Sequence, residues 1–263
     1  MSEKDINEKL LKCQKIWFEE KIKPWTEQMG CKPQETEKYF RNNFPQSNGQ
    51  YGFSEPFFSS IYHFDEKYPT VLFVGQETNG WGAYAPSFGE EDIVKSQEYV
   101  REFLENNIDI RYTKELYGFN SFWNFIRDIY DRVGKRINVV WTELDKIHYS
   151  CEQKKCVRLW QEDREYLNGP LANNNKSILQ LEIEIIKPDY IVFLTGPQLK
   201  YRKSMSVALG IEKILTQRPQ SVHDVFVFSA YNAKCLWIYH PNARGFKIPE
   251  IAEKLAQKIK NRQ

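Results

Sequence analysis

Four short apolar runs, separated by long segments of helical pattern, constrain this chain more than any other feature. They are Thr70 to Gly75 (TVLFVG), Ile137 to Thr142 (INVVWT), Asp189 to Thr195 (DYIVFLT) and Cys235 to His240 (CLWIYH). Each is rich in β-branched and aromatic residues and bounded by polar or turn residues, as suits a strand buried on both faces. Helical patterns lie between them, over Glu91 to Asn106, Ser121 to Val133 and Ile178 to Ile186. This alternation predicts a three-layer α/β/α fold with a central, mainly parallel, four-stranded sheet. A fifth run, Val225 to Ser229 (VFVFS), closely precedes the last and is read as an added edge strand.

Upstream, Ile6, Leu10, Leu11, Ile16, Trp17 and Phe18 have the spacing of a helix over 4–29, with Gly30 as its stop. Residues 31–69 are rich in Pro, Gly, Asn and aromatics and read mostly as loop. The expected organisation is a helical extension, 1–69, packed on a domain of 70–263 as one structural unit. A length of 263 residues is enough for a substantial core.

In an open parallel sheet, ligands bind beyond the carboxyl ends of the strands. The text after each run is therefore informative. It reads Gly75-Gln76-Glu77-Thr78-Asn79-Gly80-Trp81, then Glu143-Leu144-Asp145-Lys146, then Gly196-Pro197-Gln198-Leu199-Lys200, then Pro241-Asn242-Ala243-Arg244-Gly245. All four ends carry polar or turn chemistry, which a purely structural domain rarely arranges.

These ends resemble the motifs of the uracil-DNA glycosylase superfamily. Gly75-Gln76-Glu77 is similar to its Gly-Gln-Asp-Pro motif, whose carboxylate activates water. His240-Pro241-Asn242 is similar to its His-Pro-Ser motif, which stabilises the leaving base and begins the DNA-inserting loop. Phe193-Leu194-Thr195-Gly196 with Lys200 resembles the family's third strand, glycine and phosphate-facing helix. The resemblance covers about residues 70–245. It implies a DNA glycosylase in which Glu77 and His240 are catalytic, needing no metal or organic cofactor. Gln76, Asn79, Trp81, Phe88 and Glu143 would then surround an extruded base, and Gly196, Lys200, Lys203, Asn242 and Arg244 would contact DNA.

Two departures from the family shape the expected substrate. Glu77 replaces Asp, which leaves the chemistry in place. Glu143 stands where the family has the Asn that reads the uracil edge. A carboxylate repels uracil O4. A protonated carboxyl, favoured by burial, donates to cytosine N3 and accepts from N4–H. The expected target is therefore a modified cytosine-type base, because removing ordinary cytosine would damage the host's own DNA. Base-modified invading DNA, as in a phage, fits that target; a uracil repair role is the alternative.

Each residue also has a plainer role open to it. Glu77 could cap a helix, His240 could be a satisfied core histidine, and Glu143 could pair with Lys146 at the strand exit. Lysines 200 and 203 could be an ordinary solvated face. Trp81, Tyr84 and Phe88 all stand near enough to the first motif to stack a base. A silent DNA-binding module and a nucleotide hydrolase on a similar sheet remain rival functions.

Composition bounds these rivals. There are 37 Lys and Arg against 35 Asp and Glu, a net charge of +2, so DNA contact must be local rather than a basic coat. The 5 cysteines are an odd count without a signal peptide, and a reducing cytoplasm is expected. Cys151 and Cys156 are too widely spaced, and too alone, to suggest a metal site. No apolar run reaches membrane-spanning length, and no obligatory protein partner is evident. Dinucleotide-binding, Walker, serine-elbow and zinc-helix motifs are absent.

Overall fold

Strands form where the apolar runs lie, and their pairing decides which strand ends meet. A computed structural model describes residues 2–30, 51–77, 84–85, 89–106, 121–151 and 159–260. The helices described are α1 (Glu3–Trp17), which continues through a π-helical turn, Phe18–Ile22, to α2 (Lys23–Gly30). They go on with α3 (Glu90–Leu104), α4 (Ser121–Arg132), α5 (Gln161–Asn168), α6 (Ile178–Ile186), α7 (Leu199–Leu209) and α8 (Ile248–Lys260). The strands are β1 (Tyr51–Ser54), β2 (Thr70–Glu77), β3 (Tyr84–Ala85), β4 (Asn138–Asp145), β5 (Tyr149–Cys151), β6 (Tyr190–Phe193), β7 (Phe226–Ala230) and β8 (Ala233–Trp237).

The main sheet has the order β4-β2-β6-β8-β7. The first four are mutually parallel and β7 joins β8 antiparallel. The expected four-stranded sheet carries a fifth strand, the edge strand read from the run Val225 to Ser229, in antiparallel pairing. Its physical cause is the tight link between β7 and β8: Tyr231 and Asn232 take φ of 54° and 60°, a two-residue hairpin turn that allows only an antiparallel partner.

Alternation along the strands builds two cores. Val71, Phe73, Val139, Trp141, Val192 and Leu236 pack with α4 and α8 on one face. Leu72, Val74, Val140, Ile191, Phe193 and Trp237 pack with α1, α6 and α7 on the other. Burial of each such side chain contributes about 1.5–3 kcal/mol. The result is three layers, helices on both faces of a mostly parallel sheet.

β4 is an edge strand, yet all its residues are buried. An open edge invites foreign pairing, so it needs a cover. The segment between β1 and β2 supplies one. Ile61 bridges Val140, the Phe57 N–H donates to the Lys146 carbonyl at 2.6 Å, and the Asn138 amide donates to the Asp65 and Tyr68 carbonyls at 2.9 Å each. β1 also forms a second sheet, with order β3-β1-β5. It ties the chain after β2 to the chain after β4.

α1 starts at a capping box of Ser2 and Asp5 and buries Ile6, Leu10, Cys13 and Trp17. The Trp17 indole donates to the Leu167 carbonyl at 3.0 Å and the Trp25 indole to Asp163 at 2.9 Å. Both anchor the N-terminal helices to α5. Among the described residues no helix is long and apolar enough to cross a membrane.

Candidate functional site

The parallel strands all end on one side of the sheet, and alternation brings positions 75, 141, 143 and 240 to the face covered by α4 and α8. The candidate site is built at that edge. Gly75 and Glu143 are register partners on β2 and β4. Glu143 is only 4% exposed, and its Oε1 accepts the Trp141 indole N–H at 2.8 Å. Its carboxyl group lies against Gly75: a Cβ there would stand 2.1 Å from Oε2 and 2.5 Å from Oε1 and Cδ. Only glycine leaves that volume open.

Beneath the carboxyl group lies an aromatic bed. Trp141 packs on Phe57 at 4.4 Å and on Trp123 at 4.7 Å, with the Trp123 ring perpendicular to it. Phe122 stands 6.1 Å from Trp141 and 6.2 Å from His240, stacked on the latter. α4 supplies both Phe122 and Trp123 and so spans from one strand end to the other.

His240 is half-buried. Its Nδ1 accepts the Asn242 backbone N–H at 3.1 Å, and its carbonyl accepts the Ala243 N–H at 2.8 Å. The Pro241–Arg244 turn thereby orients the ring. With Nδ1 an acceptor, the neutral imidazole carries its proton on Nε2. An N–H donor of that kind is the type of group that stabilises a developing anion.

Between these two ends stands β6. Gly196 has φ of 67°, which favours glycine, and its N–H donates to the Ile238 carbonyl at 3.1 Å. A Cβ at Gly196 would lie 3.5 Å from the His240 backbone nitrogen and 3.7 Å from Gln76 Nε2. The Gln76 amide donates to the Thr195 carbonyl at 2.7 Å. The ends of β2, β6 and β8 therefore meet around Gln76, Gly196 and His240.

The other expected contacts are more dispersed. Lys200 lies in the first turn of α7, its Nζ over the Tyr201 ring at 4.5 Å. Lys203, Asn242 and Arg244 are exposed. Glu77 closes β2 in register with Asp145; its side chain, like that of Tyr84, lies outside the described residues. Asn79, Trp81 and Phe88 lie outside them altogether.

Glu143 does not take Lys146. Lys146 instead pairs with Glu182 of α6 at 2.8 Å, both fully buried, while Asp145 pairs with Arg164 of α5 at 2.9 Å and accepts from Asn168 at 2.8 Å. Trp141 and Phe122 were not legible as site residues. The available signal for Trp141 was its place two residues before Glu143 on one strand face. For Phe122 no local signal existed. Among the described residues no group of three or more His, Cys, Asp or Glu could hold a metal ion. No protein-family model matches the chain, and no curated protein matches it.

Proposed function

We propose that the chain is a DNA glycosylase that takes an extruded base into the strand-end site and hydrolyses its N-glycosidic bond. The observation that carries this reading is the His240 ring orientation, in which Nδ1 accepts the Asn242 N–H at 3.1 Å and Nε2 is the nitrogen left to carry a proton in the neutral ring. Bond cleavage leaves negative charge on the base and positive charge on the sugar. A fixed, neutral N–H donor stabilises the first without needing to move a proton. Glu77, closing β2, is assigned the water or the sugar cation. Glu143 is assigned the base edge, and a modified cytosine-type base is the preferred target. Invading DNA that carries such a base is the biological context this specificity fits.

The direct experiment incubates the purified chain with single- and double-stranded oligonucleotides carrying uracil, cytosine or several 5-substituted cytosines, followed by alkali. Scission at a substituted cytosine is expected. Retention of DNA without scission at any base would make the chain a binding module. Efficient uracil release, unchanged by Glu143→Asn, would restore an ordinary repair role.

A further inference from the structure

We infer that Trp141 and Gly75 are positioning residues that fix the Glu143 carboxyl group in one orientation and thereby set which base edge the site accepts; this rests on the base-reading role proposed for Glu143. Gly75 lies inside β2, paired in register with Glu143, and it is not among the glycines of positive φ. Its backbone conformation is open to any residue. What requires glycine is space, because the Glu143 carboxyl group occupies the position a side chain would take, 2.1–2.5 Å from the Cβ.

Trp141 fixes the other side. Its indole N–H donates to Glu143 Oε1 at 2.8 Å. The indole cannot follow a moving carboxyl group, because Phe57, Trp123, Phe103 and Phe122 surround it at ring distances of 4.4, 4.7, 5.7 and 6.1 Å. A glutamate side chain is normally free about several bonds, and this one is held from both sides.

The hydrogen-bond polarity follows. An indole nitrogen is a donor only. Oε1 facing it accepts, and a carbonyl oxygen is the better acceptor, so in the protonated carboxyl group that the base-reading role requires the proton is favoured on Oε2. A base seated with N3 opposite Oε2 and its exocyclic group opposite Oε1 then meets a donor followed by an acceptor. A cytosine-type edge, with acceptor N3 and donor N4–H, matches both. A uracil edge in the same seat, with donor N3–H and acceptor O4, opposes both. Trp141 therefore acts on the base through Glu143, without touching it.

Two sets of measurements on the full chain test this. Trp141→Phe keeps the packing ring and removes the N–H. Its single-turnover rate ratio, 5-substituted cytosine over uracil, is expected to fall about tenfold or more, the scale of one hydrogen bond to a charged or polar buried group. Gly75→Ala, which displaces the carboxyl group sterically, is expected to lower the same ratio. Independently of activity, a nitrogen-15 indole spectrum resolves the 7 Trp signals, and Trp141→Phe identifies the one concerned. That signal should move in Glu143→Leu and in Gly75→Ala while the other indoles hold. The melting temperature lost in Gly75→Ala should return in Gly75→Ala/Glu143→Ala. An unmoved Trp141 signal, or no recovery in the double variant, overturns the positioning whatever the activity. A wild type that excises bases with a ratio indifferent to both substitutions overturns the selectivity role. If the wild type excises nothing, the glycosylase reading fails and the selectivity role with it, while the indole signal still decides the geometry.

Discussion

Lys146→Met should destabilise the chain by about 3–5 kcal/mol, the cost of leaving one member of a buried ion pair without its partner. Both side chains of the Lys146–Glu182 pair are removed from water, at 1% and 0% exposure. Methionine nearly keeps the aliphatic volume, so the lost term is the charge. Glu182 retains the Thr142 hydroxyl at 2.9 Å and the Ser59 hydroxyl at 2.6 Å, which places the expected cost at the lower end. At about 2 °C per kcal/mol for a chain of this length, the melting temperature should fall by roughly 6–10 °C. The assay is thermal or urea unfolding followed by circular dichroism. Glu182→Leu alone should cost a similar amount by stranding Lys146, whereas Lys146→Met/Glu182→Leu should recover most of the loss. A single variant within about 1 kcal/mol of wild type, on the scale of an exposed pair, would refute the reasoning. So would a double variant no better than either single.

Other expectations can be checked with the same protein. His240→Ala should slow the chemical step by about 10²–10³-fold at saturating enzyme; a change confined to melting temperature would return His240 to a core role. Glu77→Gln should cut turnover by about 10²–10⁴-fold while DNA retention survives, and near-normal cleavage by the folded variant would remove it from the mechanism. Burial pushes the Cys235 thiol up to about 12 and, together with the nearby Glu182 carboxylate, pushes Cys13 higher still. Both should resist iodoacetamide at pH 8 in the folded chain and react in urea, as read by peptide mass spectrometry. The folded chain holds these protons more tightly than the unfolded one, so their contribution is complete below the unfolded value of about 8.5 and declines as pH rises toward 12. Cys235→Ala should flatten that alkaline loss of stability; an unchanged slope would discount it.

The sequence made the repetitive elements legible because their signals are local. The helical spacing over 178–186 is the helix Ile178–Ile186, and each parallel strand overlaps one of the four apolar runs. Gly75, Glu143 and His240 could be placed at one edge of the sheet because parallel strands bring their carboxyl ends together. The cover on β4 could not, because its bonds join Ile61 to Val140 and Asn138 to Asp65 across long separations and follow no period. The small sheet was hidden for the same reason, its strands being two to four residues long. Glu182 did leave a trace. It lies on the stripe of Ile178, Leu179, Ile183 and Ile186, a core position where a carboxylate demands a donor. The sequence pattern announces that need without saying that Lys146 meets it.

Three charged residues fall within four positions at the end of β4, and the way each is held separates folding from function. Asp145 and Lys146 are held in buried ion pairs with α5 and α6, so they fasten the strand exit to the helices of the opposite face. Glu143 accepts the Trp141 indole N–H. It places a carboxyl group in a nearly water-free position and requires glycine at its register partner. Burying a carboxyl group is expensive, and a glycine within a strand costs about 0.5–1 kcal/mol relative to alanine. An apolar pair at 75 and 143 would avoid both costs and extend the core already formed by Phe73 and Trp141. Both penalties fall on one register pair, at the carboxyl ends of parallel strands. Local rules broken together at one point are the pattern expected of a functional or strained site. It is the position at which the proposed function seats a base edge.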